Sequence, residues 1–310
     1  MTEILFDNAR WGQDAPVLSI LTPFKGDDPT PLLAALGREP FARPGQAELL
    51  VLDDGSGDPA LAARVEAAVA DLSLPARFIR LDANEGRSKG RNRLVRHARG
   101  QWLLFLDSDM LPDRPDFIAT WLDLIAKDQP AVAFGGFSLD QAPANPDNAL
   151  HRAIADGSDC QPAAVRARMP EKIFTSNLLV RRDVFAAETF DEAFTGWGWE
   201  DVEWGMRVAA RWPILHVDNT ATHLGLDTAE TLTAKYEQSI GNFLKITARH
   251  PDLMARYGSL KIAKLLRRAP LLQRFKPLLK AYVLARTPPV RSRAFALRLY
   301  RAALYAEAMA

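Results

Sequence analysis

Four short apolar runs, each closing on a polar residue, constrain this 310-residue chain more than any other feature. Residues 17–21 give way to Thr22 and Pro23, 49–52 to Asp53, 77–81 to Asn84 shortly after, and 102–106 to Asp107. Runs of this length bounded by turn-forming residues read as buried strands. Between them, residues 31–36, 59–72 and 88–99 repeat apolar side chains at three- and four-residue spacing, the period of an amphipathic helix. Strand, helix and strand in alternation predict an α/β fold with a mostly parallel central sheet flanked by helices. Ligands of such sheets bind beyond the carboxyl ends of the strands. There the chain places Thr22, Asp53 with Asp54, Asn84, and Asp107 with Asp109.

Beyond residue 137 the pattern loosens. Residues 138–171, with Pro143, Pro146, Pro162 and Pro170, read as a loop-rich insertion. A strand is expected at 177–180, a helix at 201–212, a short strand at 214–217 leading to Thr222 and His223, and one helix over 228–249. The last sixty residues carry an apolar stripe through Leu265, Leu266, Leu271, Leu272, Phe275, Leu278, Leu279 and Tyr282, punctuated by Pro270 and Pro277. They also carry 13 Lys or Arg against only Asp252 and Glu307, a balance of +11 that leaves −10 on residues 1–250. The expected organisation is therefore a catalytic body at 1–250 and a basic helical C-terminal extension at 251–310. A basic, apolar-striped tail suits an anionic membrane surface.

At 48% hydrophobic and 25% charged residues the composition is that of a folded globular chain, which excludes disorder and disulfide scaffolds. No stretch reaches the ~18 apolar residues of a membrane span. The single cysteine, Cys160, and the absence of a signal-peptide run in residues 1–16 set the expectation of a cytoplasmic protein, peripheral at a membrane through its tail. The basic helix at 88–99 lacks interleaved aromatics and any helix-turn-helix or zinc spacing, so no nucleic-acid partner is expected.

Three constellations carry chemistry. In Asp53-Asp54-Gly55-Ser56-Gly57-Asp58, Asp58 is the N-cap of the following helix, while Asp53 and Asp54 face a ligand as acceptors for a base or ribose. In Leu106-Asp107-Ser108-Asp109-Met110, side chains at i and i+2 of an extended segment point the same way, so both carboxylates meet one cation. Such oxygens suit Mg²⁺ or Mn²⁺. In Gly196-Trp197-Gly198-Trp199-Glu200-Asp201, indoles able to pack on sugar rings precede carboxylates at a helix start, where one can act as a general base. Arg87, at the start of the basic helix, favours a diphosphate.

Together with Thr22-Pro23-Phe24, Asn84-Glu85-Gly86 and Arg91-Asn92, these motifs resemble family-two glycosyltransferases of the GT-A fold over residues 16–225. The last motif is similar to that of galactosyl- and N-acetylgalactosaminyl-transferases and chondroitin-synthesising modules. The chain departs from the pattern at Ala187-Glu188-Thr189, where the family often has a Gly-Gly pair. The resemblance implies a nucleotide-sugar half at 16–110 and an acceptor half at 111–250. It implies that Pro23, Asp53 and Asp54 bind the nucleotide, with Thr22, Asn84, Gly86, Arg87, Arg91 and Ser108 completing the donor side. Asp107 and Asp109 form the metal-binding DxD, joined by a late histidine, His223 in preference to His216. Asp201 is the base, and Glu200 and Trp197 contact the sugars. His97, His151 and His250 carry no signal beyond their type.

The expected activity is that of an inverting, metal-dependent glycosyltransferase. It moves a sugar, with UDP-sugar as the expected donor, to the hydroxyl of a glycan or lipid-linked saccharide, using Mn²⁺ or Mg²⁺. A sugar nucleotidyltransferase is the first rival, but it needs a Gly-rich cationic loop after the first strand, which Leu21-Thr22-Pro23-Phe24-Lys25-Gly26 does not supply. A non-catalytic nucleotide-sugar-binding module at the membrane, the second rival, has no use for Asp201 beside Trp197 and Trp199.

Overall fold

The computed structural model describes residues 2–12, 15–39, 45–269 and 274–309. Its first half runs β1 (Glu3–Asp7), β2 (Leu18–Phe24), α1 (Thr30–Arg38), β3 (Ala47–Asp53), α2 (Pro59–Ala70), β4 (Ala76–Leu81), α3 (Arg87–His97), β5 (Trp102–Leu106), β6 (Met110–Pro112) and α4 (Phe117–Asp128). The second continues with β7 (Val132–Phe134), β8 (Phe137–Ser138), α5 (Ala149–Ser158), α6 (Ala163–Arg166), β9 (Asn177–Arg181), α7 (Arg182–Ala187), α8 (Glu200–Ala209), β10 (Ile214–His216) and β11 (Ala221–His223). Helices α9 (Ala229–Gln238), α10 (Ile240–Arg249), α11 (Pro251–Met254), α12 (Gly258–Arg267), α13 (Lys276–Leu284) and α14 (Val290–Ala308) close the chain.

Eight strands form one sheet in the order β1-β4-β3-β2-β5-β9-β7-β10. It is parallel from β4 through β3 and β2 to β5, the α/β portion that the periodicity predicts. β1 adds antiparallel to β4 at one edge, and β9 lies antiparallel between β5 and β7. Central β3 is buried at every position, as its unbroken apolar run requires. Pro23 is tolerated inside β2 because the ladder to β5 ends at Leu21, so its missing N–H costs no bond there. Asp58 caps α2 as expected, accepting from the amides of Ala60 and Leu61 at 2.9 and 3.0 Å. A second sheet of three strands, β6-β11-β8, stands beside the ends of β5 and β7.

Two local expectations change. The loop-rich insertion contains α5, whose Leu150, Ile154 and Ala155 are buried at helical spacing. The helix expected over 228–249 divides at Ser239, whose hydroxyl turns back onto the Tyr236 carbonyl at 2.8 Å.

The C-terminal extension shares its core with the body. Leu260, Val283, Leu297, Leu304 and Tyr305 pack in one cluster with Phe194, Val202, Met206 and Phe243. The predicted stripe splits, because neighbouring residues on a helix point about 100° apart. Leu266 and Leu279 pack inward, while Leu265, Phe275 and Leu278 face outward. Pro270, Leu271 and Leu272 lie outside the described residues. No helix among the described residues is long and apolar enough to cross a membrane.

Candidate active site

At the carboxyl end of β3, Asp53 closes an Asx turn by accepting from the Ser56 amide at 2.8 Å. Asp54 turns the other way. Its two carboxylate oxygens accept from the Glu85 amide at 2.8 Å, the Gly86 amide at 3.0 Å and Asn84 Nδ2 at 2.6 Å. Burial pushes Asp54 above the usual carboxylate range, against the pull of those two amides. Through these bonds Asp54 fixes the 84–86 loop that opens α3. Thr22 is fully buried in β2, and its hydroxyl has no hydrogen-bond partner among the described residues.

The 84–86 loop delivers two arginines. Arg87 is held charged by the carboxylates of Glu200, Asp107, Asp201 and Asp109, against the opposing effect of its own burial. Arg91, buried at 2% exposure, donates from Nη2 to Asp107 Oδ1 at 2.8 Å, and its Nη1 lies 3.9 Å from Glu200 Oε1. Arg91 Nη1 and Glu200 Oε2 are buried with no hydrogen-bond partner among the described residues.

Strand register brings His223 to the acidic run, because β11 pairs antiparallel with β6 and places His223 opposite Met110. Its Nε2 lies 3.2 Å from Asp109 Oδ2. Burial opposes the charge of each partner, yet their contact raises the His223 pKa and holds Asp109 below its usual value. The Leu224 amide donates to the Asp109 carbonyl at 2.8 Å, wrapping the next loop over the aspartate. A side chain at Gly225 would stand 2.0 Å from Asp109 Oδ2, so glycine is required for this approach. His216 instead faces the Pro170 carbonyl at 3.2 Å.

Asp109 and His223, hydrogen-bonded to each other, bring together an oxygen and a nitrogen of the kinds that Mn²⁺ accepts. Asp107 is turned toward Arg91, and among the described residues no three metal-ligating side chains converge. The fit is to a cation that takes most of its ligands from diphosphate and water.

Beside Arg91, α8 begins with Glu200 and Asp201. Burial, then the neighbouring Glu200 charge, push Asp201 up to about 7. The preceding turn is unusual. Gly196 and Gly198 take φ of 75° and 91°, which glycine does freely, but Trp199 follows at φ 75°, a conformation that costs a residue with a Cβ. Its indole N–H donates to Tyr305 Oη at 3.0 Å. Tyr305 in turn meets Ser239 Oγ at 2.8 Å and stacks on Phe243 with centroids 3.7 Å apart. Because Ser239 donates to the Tyr236 carbonyl, the order of donors is fixed: Trp199 to Tyr305, Tyr305 to Ser239, Ser239 to the backbone. Asn242 Nδ2 clamps the same turn through the carbonyls of Thr195 and Gly198 at 3.0 and 2.9 Å. Trp197 packs on Tyr236.

Several of these residues escape a reading by motif. Tyr305, Ser239 and Asn242 are 40 or more residues from the turn they hold, and nothing local marks them. His151 packs edge-on to His223 at 5.7 Å and accepts from the Asp227 amide at 2.8 Å. Burial and the His223 charge push it down to about 4, so it is a neutral ring beside the pair.

Residues 32–183 match the model of glycosyl transferase family 2. Validoxylamine A glucosyltransferase of Streptomyces hygroscopicus subsp. limoneus is 27% identical over 266 residues, 77% of this chain and 58% of that protein. The chain thus spans little more than half of that relative. Among solved structures, S. aureus TarS 1–349 superposes with a TM-score of 0.53 at 17% identity, covering 92% of this chain and 89% of that one. The mannosyltransferase PcManGT from Pyrobaculum calidifontis, in complex with GDP-Man and Mn²⁺, gives 0.58 at 15% identity, covering 97% and 89%. The fold is therefore of the GT-A type, and residues 32–183 are similar to the family 2 glycosyl transferase model.

Proposed function

We propose that this chain is an inverting glycosyltransferase of family two that moves a sugar from a nucleotide-diphosphate donor, a UDP-sugar, to a hydroxyl of a glycan or lipid-linked saccharide. The observation that carries the reading is one cluster of opposed charges: Arg87 sits among the carboxylates of Glu200, Asp107, Asp201 and Asp109, Asp109 pairs with His223, and Asp201 has a raised pKa. TarS has been solved with UDP-GlcNAc and PcManGT with GDP-Man, which supports a nucleotide-sugar in the cleft.

In this reading Asp53 orients the nucleotide beside Pro23, and the Asn84–Arg87 turn carries the cations that meet the diphosphate. Asp201 takes the proton of the acceptor hydroxyl as that oxygen attacks the anomeric carbon from the face opposite the leaving group. One displacement inverts the configuration. A carboxylate poised near 7 is a stronger proton acceptor than an ordinary aspartate, and general-base help is worth ~10² to 10⁴ in rate. Glu200, held near Arg91, and Trp197 contact the sugars. Asp109 and His223, with Asp107, would hold Mn²⁺ or Mg²⁺, whose chemistry is to neutralise charge on the departing diphosphate. The C-terminal extension sets the reaction at an anionic membrane surface.

Thermal stabilisation by a panel of UDP- and GDP-sugars with Mn²⁺, followed by release of the nucleoside diphosphate on adding saccharide acceptors, tests the proposal. Stabilisation by a UDP-sugar together with UDP release supports it. A chain stabilised by no nucleotide-sugar would overturn it, and binding without release under any acceptor would return it to a binding module.

A further inference from the structure

Among the described residues, six of the ten large hydrophobic side chains left exposed lie in the C-terminal extension: Ile262, Leu265, Phe275, Leu278, Tyr282 and Phe295. Their placement is ordered. Ile262 and Leu265 share the outward side of α12, opposite Leu260 and Ala263, which are buried. Phe275, Leu278 and Tyr282 recur at three- and four-residue spacing along α13, whose Val283 packs inward. Leu265 and Leu278 are 66% and 64% exposed, values that leave most of each side chain in water.

Several cations here lack an ion-pair partner, whereas Arg256, Lys276, Lys280 and Arg286 are paired. The only acids in the extension are Asp252 and Glu307, and Glu307 is engaged by Lys276. Lys261, Lys264 and Arg274, adjacent in sequence to the exposed Ile262, Leu265 and Phe275, and Arg268, three residues beyond Leu265, are exposed and make no ion pair among the described residues. An apolar face alone could bury itself against a second copy of the chain. A face ringed by free cations would repel its own copy and needs an anionic, apolar partner.

We propose that the outward faces of α12 and α13 form an interfacial membrane-docking surface. Leu265, Phe275 and Leu278 enter the acyl boundary, and Lys261, Lys264, Arg268 and Arg274 meet anionic headgroups. Each Lys or Arg held near such a leaflet raises affinity roughly fivefold, so four supply most of a salt-sensitive attachment. The inference deepens the proposed function by naming the face that meets the membrane, and it rests on that reading only for why a membrane acceptor is useful. The surface itself is independent of turnover.

Co-sedimentation of the full chain with vesicles of phosphatidylcholine and phosphatidylglycerol in about a 3:1 ratio, against pure phosphatidylcholine, tests it. Binding to the anionic vesicles alone, weakened by salt, is expected. The double variant Leu265→Asp/Leu278→Asp should bind at least ~10-fold less well with unchanged melting temperature, because neither side chain is packed. Equal binding by wild type and double variant, no binding at low salt, or concentration-dependent self-association through this face overturns the proposal. Stabilisation by UDP, measured on the same samples, separates the two readings: it survives a failure of vesicle binding if only the docking surface is wrong.

Discussion

Replacing Tyr305 by phenylalanine isolates one oxygen atom that the structure places between the C-terminal helix and the start of α8. The ring stack on Phe243 remains, but Trp199 Nε1 loses its acceptor and Ser239 Oγ loses its donor. Leaving a buried donor unsatisfied costs about 1–3 kcal/mol. That is the size of the penalty for holding a side-chain-bearing residue in the left-handed region, about 1–2 kcal/mol. With that bond gone the strain of Trp199 at φ 75° is no longer offset, and the arrangement that places the adjoining Glu200 and Asp201 becomes the minor one. If the whole loss falls on that equilibrium, kcat drops about 5- to 150-fold. In the proposed reading UDP binds at the ends of β3 and β5, away from the residues that Tyr305 contacts, so UDP affinity should hold. The assay is kcat at saturating acceptor, UDP binding by calorimetry and the melting temperature, which should fall by about 2–4 °C per kcal/mol for a domain near this size. Tyr305→Ala, which also deletes the stack, should be worse in all but UDP affinity. Unchanged kcat in Tyr305→Phe, or a kcat loss matched by an equal loss of UDP affinity, would refute the reasoning.

With Asp201 raised to about 7, the rate should climb with pH through that value as the base loses its proton, and Asp201→Asn should abolish this limb and lower kcat by ~10² or more. Loss of UDP binding in that variant would make Asp201 a donor-site residue. Asp109→Ala should remove the response of turnover to Mn²⁺ while the melting temperature barely moves. His223→Ala should weaken Mn²⁺ dependence more than His216→Ala, and identical metal titrations for wild type and His223→Ala would remove His223 from the site. Gly225→Ala should displace Asp109 and mimic Asp109→Ala in the metal titration, because its Cβ would stand 2.0 Å from Oδ2. A normal titration would show that the loop yields instead.

The sequence alone determined what local periodicity and short spacing encode. Unbroken apolar runs can be satisfied only inside a sheet covered on both faces, so β2, β3, β4 and β5 and the helices between them were legible, as was the capping of α2 by Asp58. The acidic run after β5 and the carboxylates at the start of α8 were legible because the groups that act together are two residues or one residue apart. Tertiary structure decided everything that depends on which distant segments meet. Asp54 is two-sided by sequence, and only the fold shows its oxygens holding the 84–86 loop. The pairing of β11 with β6 set His223 on Asp109, and packing of α5 brought the unremarked His151 beside it. The extension read as a separate appendage because charge and hydropathy are summed along the chain. A single tyrosine near its end closes a hydrogen-bond chain onto Trp199, 106 residues earlier, and no local pattern records a contact made across that separation.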